Sequence, residues 1–216
     1  MQLDRLSEPE RRQLEGMRFP ARRGDWLAGR LAIRQLFAGL GYPLEGIEIA
    51  NEPSGAPFAR RVASGERLPG CLSISHRQGH ALCAYTPHKG VGIGADLERV
   101  EPRSEAFCRD YFTEDERFGA EGWEDETRAR WFNLLWSLKE SCMKAAKRGL
   151  RIDALDLQVE VEGFEWPLPA GWKPARAQNL RTGERFSLAW ELRGESLLTL
   201  GWEGAGVTPK LEEIQA

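Results

Sequence analysis

The residues best suited to chemistry fall in two short stretches. "VGIGADLERV", residues 91–100, carries Asp96 and Glu98 with a single residue between them. "WSLKESCMK", residues 136–144, carries Lys139, Glu140 and Lys144. Three carboxylates with lysines beside them make hard oxygen donors next to point cations, the composition of a Mg²⁺ site that handles phosphate. In strand alternation Val91, Ile93, Ala95 and Leu97 point one way, and Gly92, Gly94, Asp96 and Glu98 the other. Glycine inside a strand marks close approach by a ligand or by another backbone. Two carboxylates about 4 Å apart repel by about 4 kcal/mol at an effective dielectric near 20, so a cation is expected nearby unless water screens them. On the strand alone, a solvated strand end explains the pair slightly better. In the second stretch Trp136, Glu140 and Lys144 share one helical face, and the Glu140–Lys144 pair is worth only ~0.2–0.5 kcal/mol. An amphipathic helix with a surface ion pair is its plain explanation.

The elements that must position these residues alternate between helix and strand. "RRGDWLAGRLAIRQLFAGLGYP" predicts a helix with Asp25 as N-cap, Ala32, Ile33, Leu36, Phe37 and Leu40 on its apolar face, and Gly41 as the stop. Arg30 and Arg34 share a face away from that stripe, with Arg23 just upstream: a solvated surface or an anion contact. "GIEIANEPSGAPFA" predicts a strand and a loop, and "CLSISH" a strand ending at Ser75-His76. "ALCAYTPHKGVGIGADLE" predicts two strands around a turn at Pro87 to Gly90. Helix dominates from about Ser104 to Arg148. Trp131, Leu135, Leu138, Cys142 and Ala145 form its apolar stripe near the end, and Gly149 terminates it. "LDLQVEV" and a hairpin in "RFSLAWELRGESLLTLGWE" return the chain to β structure.

The 216 residues hold 30 basic and 33 acidic side chains, net −3, which gives no global charge for nucleic acid or a membrane surface. Residues 1–40 nevertheless carry eight arginines against five acids, a local basic patch. The cysteines, Cys71, Cys83, Cys108 and Cys142, show no C-x-x-C pairing and suit free thiols in a reducing compartment. Neither a membrane-length apolar run nor a signal-peptide core is visible, so a cytoplasmic protein is expected. A monomer is expected too.

Taken in order and spacing, "VGIGADLE" followed 44 residues from Asp96 by Glu140 in "WSLKESCMK" resembles the paired signature of the 4′-phosphopantetheinyl transferases. "DWLAGRLAIR", "NEPSGAPFA" and "LSISH" extend the resemblance over roughly residues 18–150. It implies an α+β fold of the larger, surfactin-type class: two pseudo-symmetric halves, 1–102 and 103–216, each with helices on a small antiparallel sheet. It also implies transfer of 4′-phosphopantetheine from coenzyme A to a serine of an apo acyl or peptidyl carrier protein, releasing 3′,5′-ADP. In that likeness Asp96, Glu98 and Glu140 hold Mg²⁺ or Mn²⁺, Glu140 or Glu116 takes the serine proton, and Lys139 and Lys144 contact phosphate. Ser75 and His76 hold the nucleotide phosphates, with Gly55 and Pro57 in the nearby loop and Arg23, Arg30 or Arg34 near the 3′-phosphate. Ala56 stands where the family often has lysine, and Ala95 where a branched residue usually precedes the aspartate. Phe107, Tyr111, Phe112, Arg103 and Arg109 either dock the carrier or pack under the helix.

Other chemistries fit less well. His76 and His80 have zincin-like spacing, but Arg77 replaces the needed glutamate and no third soft ligand is suitably spaced. Ser75-His76 lacks the G-x-S-x-G of a nucleophile elbow. A Mg²⁺-dependent phosphodiesterase or nuclease and a non-catalytic carrier-binding module are the alternatives.

Overall fold

The computed structural model describes residues 6–43, 46–164, 168 and 170–203. The chain is α+β with antiparallel sheets and forms two compact units that divide between Val91 and Gly92. The expected division at 102/103 lies eleven residues later, inside a segment that the second unit holds. The reason is strand pairing: Ile93–Arg99 joins a sheet made from the end of the chain.

The first unit contains α1 (Glu8–Glu15), α2 (Pro20–Gly39) and two hairpins, β1 (Ile47–Asn51) with β2 (Pro57–Arg61) and β3 (Cys71–Arg77) with β4 (His80–Thr86). Ser7 and Glu10 close a capping box on α1. Helix α2 begins at Pro20, five residues before Asp25, because proline is preorganised for a first helical turn. Asp25 therefore lies inside the helix and serves a neighbouring turn instead. Ile33 and Phe37 anchor the core with Ile47, Ile49, Ala59, Leu68 and Leu72. Leu40, expected on the apolar face, is exposed at the helix end. Strands β4 and β5 (Ile93–Arg99), adjacent in sequence, belong to different sheets.

The second unit contains β5, α3 (Glu105–Tyr111), α4 (Glu114–Phe118), α5 (Asp125–Ala145), β6 (Leu157–Val161), β7 (Lys173–Asn179), β8 (Arg185–Arg193) and β9 (Ser196–Glu203). Its five strands run antiparallel in the order β5-β9-β8-β7-β6. Helix α5 lies on this sheet and is buried almost all round: Leu134, Leu135, Leu138, Cys142 and Met143 have no exposed surface. It ends at Ala145, before the expected stop at Gly149, and Lys147 takes the left-handed conformation just beyond. No helix among the described residues is long and apolar enough to cross a membrane.

The sheet admits α5 at unusually short range because three glycines line its path. A Cβ on Gly94 would lie 1.9 Å from the Ser141 carbonyl oxygen, and one on Gly92 2.2 Å from that of Ala145. Gly201, paired with Gly94 across the strands, would bring a Cβ to 3.2 Å of the Ser141 carbonyl. The glycine face of β5 is thus filled by another backbone. We expect Gly94→Ala to cost about 1–3 kcal/mol through overpacking, read as a lower denaturation midpoint. Gly24→Ala, whose Cβ meets nothing within 4 Å in helix α2, should instead stabilise by about 0.5–1 kcal/mol.

Candidate functional site

The approach of α5 to β5 brings the two sequence stretches together. Asp96, 4% exposed, faces the helix. Its Oδ1 accepts from Lys144 Nζ at 2.6 Å and its Oδ2 from Ser137 Oγ at 2.8 Å. Lys144 Nζ also donates to the Ala95 carbonyl at 3.2 Å. Trp136, Glu140 and Lys144 are the half-buried positions at four-residue spacing on α5. Glu140 lies in the electrostatic reach of Lys144, Asp96 and Glu98. Burial pushes its carboxyl above the ordinary carboxylate range; Lys144 opposes that, and the negative charges of Asp96 and Glu98 add to it. Glu98 pairs with Arg103 at 3.4 Å, and Arg103 lies over the Phe107 ring. Asn133, fully buried on α5, donates to the Glu101 carbonyl at 2.6 Å and pins the chain just after β5. Among the described residues no group of three or more histidine, cysteine or acidic side chains is assembled tightly enough to hold a metal ion.

Lys139 takes no part in this constellation. It has no exposed surface, and its ammonium donates to Glu116 Oε2 at 2.7 Å and to the Tyr111 and Ala154 carbonyls at 3.0 and 2.9 Å. All three ammonium donors are satisfied by protein, which corrects the expectation of a phosphate contact. Helical geometry explains the outcome: position 139 lies one residue, about 100°, from Glu140 and so turns into the core. Glu116 is corrected with it. Its Oε2 also accepts the Thr113 N–H at 2.9 Å in the capping box of α4, so this carboxylate is committed to structure rather than to proton transfer.

The aromatic residues divide in a similar way. Phe112 is buried and stacks on Phe132, whereas Phe107 and Tyr111 are half-buried and pack edge-on against Trp136. Phe118 on α4 is 65% exposed.

Comparison with known proteins matches residues 92–201, just over half of the 216-residue chain, to the 4′-phosphopantetheinyl transferase superfamily. The chain belongs to that superfamily. Relatives include a 4′-phosphopantetheinyl transferase of Bacillus subtilis, 25% identical over 64% of this chain and 63% of the relative. HetI, the 4′-phosphopantetheinyl transferase of a Nostoc species, is 30% identical over 67% of this chain and 61% of its own. Sfp of Bacillus subtilis is 27% identical over 55% and 53%. The chain thus spans roughly three fifths of the length of the first two relatives.

The superfamily match covers the second unit's constellation; the other positions expected from the sequence lie in the first unit. Ser75 is half-buried and His76 exposed near the end of β3. His76 packs over Gly29 of α2, where a Cβ would come within 3.3 Å of its ring. Asp25 accepts the Gly79 N–H at 2.6 Å and so fixes the β3–β4 turn, where Gln78 adopts a positive φ of 51°. Gly55, at φ 90°, turns the loop between β1 and β2, and Asn51 donates to its carbonyl; Pro57 begins β2. The arginine stripe meets a different anion from the one expected. Arg30 and Arg34 are 6% and 4% exposed and converge on the buried carboxylate of Glu10 from α1. Arg23 donates to the Leu14 carbonyl at 2.8 Å. Burial behind α1 therefore argues against Arg30 and Arg34 as contacts to the 3′-phosphate. The sequence left the stripe as either a solvated surface or an anion contact and held no signal that Glu10 would cover it.

Two outcomes follow from the buried charges. Lys139→Met leaves Glu116 buried without its cation and should cost about 3–5 kcal/mol. The double variant Lys139→Met/Glu116→Leu should recover much of that in urea unfolding. A Lys139→Met protein of unchanged stability that has lost only coenzyme A affinity would return Lys139 to phosphate. For Glu140, the folded chain holds the carboxyl above its unfolded range, so ionisation penalises folding at neutral pH and not below the ordinary carboxylate range. Glu140→Gln should therefore melt higher than the parent at pH 7 in chelator, and the gain should vanish as pH falls through both ranges.

Proposed function

We propose that the chain transfers the 4′-phosphopantetheine group of coenzyme A to a serine hydroxyl of an apo acyl or peptidyl carrier protein, releasing 3′,5′-ADP. The observation that carries this reading is the convergence of Asp96, Lys144 and Glu140 at the crossing of α5 and β5, in a chain of this superfamily. The serine oxygen attacks the β-phosphorus of the pyrophosphate, the bond from that phosphorus to the bridging oxygen breaks, and 3′,5′-ADP departs with the bridging oxygen. Glu140, half-buried on α5 beside Asp96 and Glu98, is the carboxylate of this site that takes the serine proton in this reading. Lys144, half-buried and one hydrogen bond from Asp96, supplies positive charge to the phosphate oxygens.

By donor chemistry, though not as a cluster preassembled among the described residues, the set suits a Mg²⁺ or Mn²⁺ ion. Asp96, Glu98 and Glu140 all offer hard oxygens, and the negative charges of the first two raise the proton affinity of the third although Lys144 opposes them. These residues would hold the ion, which when bound supplies charge stabilisation on the pyrophosphate oxygens. For the carrier, acidic and helical in this reading, Phe107 and Tyr111 beside the exposed Arg109 offer an apolar and basic face.

Purified protein, coenzyme A and Mg²⁺ should convert an apo-carrier to its holo form, seen by mass spectrometry as the gain of one phosphopantetheine group. Asp96→Ala and Glu140→Ala should lower kcat by at least 100-fold while keeping the circular-dichroism spectrum of the parent. No mass gain with several apo-carriers, or retained kcat in either variant, would overturn the reading.

A further inference from the structure

Asp96 is supported from behind by three buried hydroxyls, two from the α5 signature and one, that of Thr199, outside both motifs. Thr199 on β9 is its direct cross-strand partner, and both side chains face α5. Thr199 Oγ1 lies 2.9 Å from Ser137 Oγ, 2.7 Å from Ser141 Oγ and 2.9 Å from the Ser137 carbonyl. Thr199, Ser137 and Ser141 have no exposed surface.

The direction of these bonds follows from counting protons. A carboxylate only accepts, so the single proton of Ser137 Oγ goes to Asp96. In the Ser137–Thr199 pair the proton must then come from Thr199, which divides it between the Ser137 hydroxyl and carbonyl. Thr199 must in turn accept from Ser141. The chain runs one way, Ser141 to Thr199 to Ser137 to Asp96, and it links α5, β9, α5 again and β5. Fully satisfied buried networks of this kind fix one arrangement.

We propose that Thr199 and Ser137 are positioning residues that hold the Asp96 carboxylate in a single orientation, with Oδ2 anchored and Oδ1 presented to Lys144 and to a divalent cation. The proposal rests on the reading of Asp96 as a metal ligand. The bland alternative is that small polar side chains merely satisfy one another where helix and sheet come close.

The test uses the full chain with Thr199→Val, Thr199→Ser and Ser137→Ala. Mn²⁺ binding is measured by electron paramagnetic resonance with and without coenzyme A, alongside melting temperature and the kcat and KM of transfer. Thr199→Val should weaken Mn²⁺ binding roughly 10–100-fold, the range for loss of a group that orients a metal ligand, and lower kcat in parallel, with KM for coenzyme A within about twofold. Thr199→Ser should restore both. Ser137→Ala removes the last link and gives the same readout if Thr199→Val folds poorly. Wild-type Mn²⁺ affinity in Thr199→Val, with only a lower melting temperature, would overturn the proposal, as would a parent protein that binds no Mn²⁺. A parent that binds Mn²⁺ and loses it with Thr199→Val, yet modifies no carrier, would support the positioning role and remove the transferase reading.

Discussion

The site depends on how closely a helix backbone approaches a sheet. Gly92, Gly94 and Gly201 leave no side chain between α5 and the β5–β9 pair, and carbonyls of Ser141 and Ala145 occupy the space that Cβ atoms would need. At that range a short residue such as aspartate on the strand reaches serine and lysine on the helix directly. One more layer of methyl groups would move Asp96 away from Ser137 and Lys144, whose bonds to it are 2.8 and 2.6 Å long. The glycines weaken the strand locally, and the hydrogen bonds they permit offset that loss.

Helix α5 carries two lysine–carboxylate pairs that look alike as sequence and differ in surroundings. Lys139 is wholly buried, and its three donors end on Glu116 and two carbonyls. It fastens the end of α3, the start of α4 and the turn at Ala154 to one point. Lys144 keeps 27% of its side chain exposed, within reach of solvent and of an incoming anion. Buried pairs contribute little net stability yet are costly to break, which suits a clamp. A partly exposed pair rearranges at small cost, which leaves that ammonium able to change partners.

Much of this was legible in the residues. Strand alternation in "VGIGADLE" placed Gly94 and Asp96 on one face, and both meet α5. Four-residue spacing put Trp136, Glu140 and Lys144 on the half-exposed face. What the pattern left open was whether the glycines made room for a pyrophosphate or for a neighbouring backbone, and the answer is a backbone. Three things escaped for physical reasons. The pairing of β5 with β9 joins residues about a hundred positions apart, so nothing local marked Thr199 or Gly201 as partners of Asp96 and Gly94. Lys139 sits beside Glu140 in sequence but a third of a turn away in space. Arg30 and Arg34 looked like a solvated stripe or a contact to a ligand's phosphate because their counterion, Glu10, comes from a separate helix.

The first unit shows the same logic with the opposite outcome. Two arginines one helical turn apart form a ready anion site, and α1 delivers a carboxylate to it. Desolvation lowers the proton affinity of Arg30, and Glu10 opposes that effect. A buried guanidinium pair held by one carboxylate is a junction between helices, much as Lys139 and Glu116 are. In both places charge has been used to lock elements together, and neither locked group is available to a ligand. The crossing of α5 and β5 differs in one respect: Glu140 is left with its proton affinity raised by burial and by two acidic neighbours. Such a carboxyl gains from any positive charge brought near it, and Lys144 supplies part of that. Burial and two acidic neighbours thus set Glu140 apart from the settled pairs at Lys139 and Arg30.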